Sequence, residues 1–191
     1  PTRIDRYTGT RIGQTNAYPG HILRFLRRCV EQYEMTEAQA TIDKAERYIR
    51  EIAMEVFDLT GQFEDSLYDV LEPYSNLTNF TGSPYADYLL TKAEPTEEDV
   101  RNAMDLIRLS EDQFVHWDSS YKRYGAKVNH TPCVVEQYKY RMPVDHSACN
   151  VANAFLSLYE QTGDQLAYMK AKALIDNITI LQNANTGMIP T

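Results

Sequence analysis

Apolar side chains recur along this chain at steps of three and four residues, the period of an amphipathic α-helix. One such stretch begins after Pro19-Gly20, and a second begins at Thr36 and ends at Asp58–Gly61. Because only a few residues separate them, the two predicted helices should pack as antiparallel neighbours. Their core-facing stripes comprise Ile22, Phe25, Leu26, Cys29, Val30 and Tyr33 in the first helix, and Ile42, Ala45, Ile49, Ile52, Ala53 and Val56 in the second.

Polar residues at the predicted helix starts are of the types that cap helices. Thr36 and Gln39 have the spacing of a capping box, in which each side chain bonds the backbone amide of the other residue. Thr96 precedes acidic residues 97–99, so it is predicted to be an N-cap, with the acids favourably placed in the helix dipole. Asp164 is predicted to cap the last helix in the same way.

The helical pattern is interrupted twice. Within residues 62–95, a short helix is predicted at Phe63–Leu71 and a helical turn or two at Tyr85–Leu90. Residues 118–145 predict a long polar loop with a short strand at Val134–Val135, and loops of this length are often functional. Three further helices are predicted from their apolar stripes. The first ends near Trp117 and carries Val100, Ala103, Met104, Ile107 and Phe114. The second carries Ala148, Val151, Ala152, Phe155 and Tyr159, and the third carries Ala167, Ala171, Leu174, Ile178 and Leu181.

These elements predict an all-α fold of consecutive antiparallel helical hairpins, without a clear β-ladder. The chain has 191 residues, 43% of them hydrophobic, which is enough for one sizeable core, and residues 1–191 are assigned to a single α-hairpin domain. Helix pairs that recur about every 50 residues are within the range of helical repeats, which coil into a solenoid or close into a toroid. Since no initiator Met is present, we expect a processed chain or part of a larger protein.

Charge and cysteine content argue against several classes of function. The net charge is −8, and the nearest approach to a basic stripe, Arg24, Arg27 and Arg28, fits the solvated face of one helix, so no nucleic-acid partner is expected. No apolar run approaches the roughly 18 residues of a membrane span, so no membrane partner is expected either. The three cysteines form no Cys-x-x-Cys motif, which argues against a disulfide framework or a zinc knuckle. Cys29 and Cys149 are expected to be buried free thiols.

The last hairpin carries a recognisable motif. Leu158-Tyr-Glu-Gln-Thr-Gly-Asp164 is followed by Lys170-Ala-Lys-Ala-Leu-Ile-Asp176, and then by a segment with Gln182, Gly187, Ile189 and Pro190. This order resembles a hairpin of the six-hairpin glycosidase-like (α/α)6 toroid superfamily, and the match covers residues 143–191, with a weaker one over 19–57.

The resemblance implies a fold, a function and a setting. Members of that superfamily are mostly glycoside hydrolases, so it implies a carbohydrate-active protein that binds a glycan or oligosaccharide, in a periplasmic or secreted bacterial setting. A closed toroid needs six hairpins, whereas this chain has about three, so a partial toroid is expected. Scaffold alone does not fix function.

In such toroids the loops that lead into the inner helices line the cleft, and the resemblance identifies two of them, residues 14–21 and 136–146. Glycoside hydrolysis commonly uses two carboxyl groups. The first candidate is Asp145, at the start of a predicted inner helix; its commoner alternative role is that of an N-cap. The second is Glu136, which beside Val134–Val135 would be desolvated and suited to general acid catalysis. The alternative for Glu136 is an ion pair with a nearby Lys or Arg.

Aromatic and histidine side chains extend the candidate site. Stacking on sugar rings is predicted for Tyr18, Tyr138, Tyr140 and Trp117, and packing between hairpins is the alternative for each. His21 and His146 are predicted to contact substrate, His146 as a proton-transfer group, although an exposed helix-start histidine is the simpler account. The spacing of the histidines matches no helical metal pair, and no P-loop or dinucleotide motif is present, so no metal and no cofactor are expected.

Three hypotheses about function follow. The first is carboxylate-based hydrolysis of a glycan by a protein of the six-hairpin type. The second is a non-catalytic helical repeat module that binds a glycan or a protein partner. The third is a homodimer, because unclosed hairpins leave apolar edges that a second copy would cover.

Overall fold

A computed structural model describes residues 3–4, 6–9, 11–12, 19–53, 79–118, 122–123, 126–127, 131–135 and 143–189. Over these residues the fold is all-α, which confirms the predicted class. The predicted short helix at Phe63–Leu71 and the predicted helix end at Asp58–Gly61 lie outside the described residues. The helices are α1 (Pro19–Tyr33), α2 (Thr36–Tyr48, continued by a π-helical turn at Ile49–Ala53), α3 (Asn79–Leu90), α4 (Glu97–Phe114), α5 (Asp145–Thr162) and α6 (Gln165–Leu181).

The six described helices pack as three consecutive pairs, α1 with α2, α3 with α4, and α5 with α6. The pairs are joined to one another mainly through α3, which packs against both α1 and α5. We call α1, α3 and α5 the central row. Every residue of α3 from Gly82 to Leu90 is buried, as expected for a helix with neighbours on several sides. The prediction of only a turn or two at Tyr85–Leu90 was therefore wrong, because Pro84 lies within the helix and does not end it.

Short antiparallel ladders accompany the helices, contrary to the expectation of none. The ladder that matters for the site joins the end of α4 to the start of α5. Val135 N donates to Phe114 O at 2.9 Å, and Val144 N donates to Val134 O at 2.9 Å. The predicted strand begins one residue earlier than expected. The pairs are β1 (Arg3–Ile4) with β2 (Arg11–Ile12), β3 (Val115–His116) with β6 (Cys133–Val134), and β4 (Lys122–Arg123) with β5 (Ala126–Lys127).

The predicted stripes of α5 and α6 lie in the core, but the predicted stripe of α1 does not. Ile22 and Phe25 are 50% and 65% exposed, and Tyr33 is 72% exposed. The reason is that α3 packs against a different face of α1, the one that carries Gly20 and Leu23. The core residues of α5 and α6 include Val151, Phe155, Leu158, Ala167, Ala171, Leu174 and Ile178.

The contact between α1 and α3 is close because Gly20 has no side chain. A Cβ atom built on Gly20 would lie 2.3 Å from the carbonyl carbon of Pro84 and 2.5 Å from the backbone nitrogen of Tyr85. Both are backbone atoms, so a larger residue at this position would force the two helices apart. The position of Gly20 therefore sets the spacing of the central row.

Two of the three predicted caps are present. Thr96 forms a capping box: Asp99 N donates to Thr96 Oγ1 at 3.0 Å, and Thr96 N donates to Asp99 Oδ2 at 3.0 Å. Asp164 Oδ1 accepts from Leu166 N at 2.9 Å, directly after Gly163 in the left-handed conformation.

The capping box predicted at Thr36 was wrong. Met35 occupies the N-cap position of α2, without a side-chain cap bond, and its carbonyl already accepts from the amide of Gln39 at 3.2 Å. The side chain of Gln39 points along the helix instead, and donates to Asp43 Oδ1 at 2.7 Å. Thr36 is thus the first helical residue rather than the cap.

We expect Thr96→Ala to lower the free energy of unfolding by about 1 kcal/mol, since it removes a formed cap. Thr36→Ala is the matched control and should change it by less than about 0.5 kcal/mol. Urea denaturation of both variants and of the unaltered chain measures the difference. Equal losses in the two variants would contradict the assignment of the caps.

Candidate functional site

The starts of α1 and α5 each carry one of the predicted site histidines. His21 is the third residue of α1 and His146 is the second residue of α5. The pKa of His21 is lowered first by desolvation, then by the charge of His146 and of Arg24, while Asp87 opposes the shift. Two histidines that are far apart in the sequence are therefore near enough for their charges to interact.

Asp87 lies at the middle of the central row and binds both neighbouring helices. Its Oδ2 forms an ion pair with Arg24 Nη1 of α1, and its Oδ1 accepts a hydrogen bond of 2.7 Å from Ser157 Oγ of α5. The Asp87 side chain is 6% exposed, whereas that of Arg24 is 40% exposed. Both carboxylate oxygens are thus engaged, and the pairing satisfies a charge that would be costly to bury alone.

Four polar residues of α5, which we call the polar stripe, recur at steps of four, three and four. They are His146, Asn150, Asn153 and Ser157. At about 3.6 residues per turn, this spacing places all four on one face of the helix. Because Ser157 contacts Asp87 there, the polar stripe runs along the side of α5 that adjoins Arg24 and the middle of α3. The opposite face of α5 carries the buried residues Val151, Phe155 and Leu158.

Asn150 is a buried residue of the polar stripe, and the nitrogen of its side-chain amide makes no hydrogen bond within the described residues. Its Nδ2 is shielded from solvent and has no partner in the described part of the chain. A buried donor without an acceptor costs about 1–3 kcal/mol. The Asn150 amide is therefore an unused donor within the row of polar side chains.

Asp145 lies beside two thiols. It is the first residue of α5, and Val144 rather than Asp145 occupies the N-cap position. Burial raises the pKa of Cys133 to about 11, and the charge of Asp145 adds to the effect; the pKa of Cys149 is raised for the same two reasons. Asp145 is half-buried and its Oδ2 is shielded from solvent. Its neighbour in sequence, His146, is exposed and belongs to the polar stripe.

Cys29 and Cys149 are free thiols, as expected, but the expectation that they are buried was wrong. Both are half-buried, and Cys133 is the buried cysteine. Cys29 belongs to the face of α1 that α3 leaves uncovered, which accounts for its partial exposure.

Trp117 packs in the corner between α4, α5 and α6. Its Nε1–H donates to Glu111 Oε1 at 2.9 Å, and its ring lies 6.3 Å from that of Phe155. Lys170 Nζ lies 5.7 Å from the centre of the Trp117 ring and 2.6 Å from Glu111 Oε1. Packing, the alternative to sugar stacking, therefore describes these contacts of Trp117.

The other predicted site residues, Glu136, Tyr138, Tyr140 and Tyr18, lie outside the described residues. Their roles as acid, stacking platforms or ion-pair partners stay predictions. Of the eight predicted residues, His21 lies within electrostatic range of His146, and Asp145 directly precedes His146 at the start of α5. Trp117 contacts a different set of side chains.

The described part of the chain contains neither a metal centre nor a membrane span. No group of three or more His, Cys, Asp and Glu residues there could hold a metal ion. None of the described helices has both the length and the apolar character needed to cross a bilayer.

The centre of this site, Asp87 with Arg24 and Ser157, is absent from the residues predicted from the sequence. Asp87 is a single acid within an apolar segment, which is a recognisable signal for a buried, paired charge. Asn150, Asn153 and Ser157 recur at helical spacing, but only the apolar positions of α5 were used to define its faces. Arg24 was assigned to a solvated face, whereas its guanidinium pairs with Asp87.

Comparison with known proteins gives no assignment: no family model matches the chain, and no significant match was found among curated proteins or solved structures. The resemblance to six-hairpin glycosidases accordingly rests on the motif of the last hairpin alone.

We expect Arg24→Ala to lower the free energy of unfolding by about 2–4 kcal/mol, because it leaves the buried Asp87 carboxylate with a hydroxyl as its remaining neighbour. The matched control is Arg108→Ala, which removes an exposed intrahelical pair with Asp105 and should cost less than about 0.5 kcal/mol. Urea denaturation measures both. If both variants lost a similarly small free energy of unfolding, the Arg24–Asp87 pair would not be a structural link.

We also expect His21 to make stability depend on pH. Its pKa in the folded protein lies below the ordinary value of 6.5, so the unfolded chain binds the proton more readily and stability falls as pH falls through that value. His21→Gln should lose less stability between pH 7.5 and 5.5 than the unaltered chain, as measured by urea denaturation. In His146→Gln, an NMR titration should show the pKa of His21 moved upward. If the stabilities of His21→Gln and of the unaltered chain changed equally with pH, the role of His21 would be refuted.

Proposed function

We propose that this chain is the hairpin scaffold of a carbohydrate-active protein and that it binds a glycan along the polar stripe of α5. The observation that carries the proposal is the buried amide of Asn150, a donor without an acceptor within a row of polar side chains. Binding sites combine a few such placed polar groups with a packed scaffold. Here the scaffold is the central row, which keeps α5 against α3.

The chemistry of the groups around the polar stripe suits a neutral ligand with many hydroxyl groups. Amide, hydroxyl and imidazole side chains both donate and accept hydrogen bonds, as sugar hydroxyls do. The guanidinium of Arg24 is neutralised by Asp87. With a net charge of −8, the chain as a whole repels polyanions.

Hydrolysis of the bound glycan is the reaction implied by the resemblance, with Glu136 and Asp145 as the acid and base or nucleophile. Asp87 is a poor candidate for either role, because both of its oxygens are engaged by Arg24 and Ser157. Asp145 lies at the start of α5, next to His146 at one end of the polar stripe.

A second candidate function is glycan binding without hydrolysis, by a helical repeat module. The position of Asp145 favours it, since one carboxylate oxygen is shielded beside Cys133 and Cys149. In this case the polar stripe would bind the same class of ligand and no bond would be cleaved.

Calorimetric titration with a panel of neutral oligosaccharides tests binding. We expect His146→Ala and Asn153→Ala each to weaken affinity about tenfold, because each removes a hydrogen-bonding group from an exposed position. Gln39→Ala, at an exposed position of α2, is the matched control and should leave affinity unchanged. Absence of binding to any neutral glycan by the unaltered chain would overturn the proposal.

Turnover of a bound glycan separates the two candidates. If the chain hydrolyses glycans, Glu136→Gln and Asp145→Asn should each lower turnover about 100-fold or more while binding persists. Binding without any turnover by the unaltered chain would favour the non-catalytic module. Turnover that neither substitution lowers would refute the choice of both carboxylates.

A further inference from the structure

The solvent side of α6 is unusually apolar for a surface helix. Met169 and Ile180 are 65% and 80% exposed, and Tyr168 and Ile175 are 41% and 42% exposed. A surface helix normally carries charged and polar residues on the face opposite the core. We call the exposed side of α6 that carries Tyr168, Lys172, Ile175 and Asp176 the α6 face.

The α6 face continues into a shallow groove between α5 and α6. Its lining is mostly apolar and comprises Ala152, Leu156, Tyr168, Ala171 and Ile175, together with the polar residues Asn153 and Lys172. Contiguous exposed apolar surface of this kind marks a binding site for another protein.

Charge on the α6 face is confined to one ion pair. Lys172 Nζ binds Asp176 Oδ2 one turn further along the helix, and both side chains are 56% exposed. The remaining cation of the helix, Lys170, is turned away and pairs with Glu111 of α4. The α6 face is therefore neutral in a chain whose net charge is −8, so it is where a second acidic copy would be repelled least.

We propose that the α6 face binds a second copy of this chain. The two α6 helices lie antiparallel and are related by a twofold axis, which passes the exposed side of each helix at the level of residue 174. In that arrangement position 172 of one copy lies opposite position 176 of the other, so each Lys172 meets an Asp176 across the interface. A twofold interface must be self-complementary, and this pair fulfils that condition.

The α6 face and the polar stripe meet at Asn153, which lines the groove together with Tyr168 and Ile175, so self-association is measured without a ligand. Analytical ultracentrifugation of the full chain should show a dimer. Ile175→Asp places a charge on the α6 face and should raise the dissociation constant at least about tenfold, with circular dichroism unchanged.

A charge exchange tests the twofold geometry. Lys172→Asp leaves two acids on the face, and Asp176→Lys leaves two lysines, so each variant alone should dissociate at least about tenfold more readily. An equimolar mixture of the two variants should recover the affinity, because acids of one copy then face lysines of the other. The matched control is the exposed Asp105–Arg108 pair of α4, where Asp105→Lys and Arg108→Asp should leave the dimer unchanged.

Two outcomes would overturn the proposal. A chain that stays monomeric at its highest soluble concentration forms no such interface. A dimer that is indifferent to substitutions at positions 172, 175 and 176 uses another surface. Either result leaves the glycan proposal standing, because that proposal is tested by ligand binding.

Discussion

Burial of one carboxylate organises the described structure. Asp87 lies in a helix whose residues from Gly82 to Leu90 are all buried, and a charge in that position requires partners. Arg24 and Ser157 supply them from the two flanking helices. The same contacts fix how α1 and α5 lie relative to α3, so the electrostatic requirement of a single side chain also aligns three hairpins. Gly20 complements this link by letting the backbones of α1 and α3 approach closely.

The pairing of Arg24 with Asp87 also decides which side chains are left to meet a ligand. Because Arg24 and Asp87 neutralise each other, the side chains left to meet a ligand are imidazoles, amides and hydroxyls. Such groups recognise polar neutral molecules by geometry and are poorly suited to attract ions over a distance. Asp145, one of the two candidate carboxylates for hydrolysis, is the first residue of α5 and precedes His146 of the polar stripe. Binding and bond cleavage would thus depend in part on the same helix.

Turns and helix caps were predictable from the sequence, whereas contacts between hairpins were not. The corner at Gly163 and Asp164 and the cap at Thr96 depend on residues within a few positions of each other, and both are present. The failure at Thr36 shows the limit of motif spacing, since the preceding carbonyl and Asp43 satisfied the same groups first. The exposed stripe of α1 and the role of Asp87 depended on which face α3 would cover. Helical periodicity shows that a face is apolar, but it does not name the neighbour.

The separations in sequence across the central row bear on how the chain folds. Asp87 is 63 residues from Arg24 and 70 residues from Ser157. Helix pairs close over short connections and form early, whereas contacts of such high sequence separation form late and slowly. During synthesis the first hairpin therefore emerges with Arg24 still hydrated, and α3 must remain incompletely covered until α5 has left the ribosome. Asp87 thus has one partner that is synthesised before it and one that is synthesised after it.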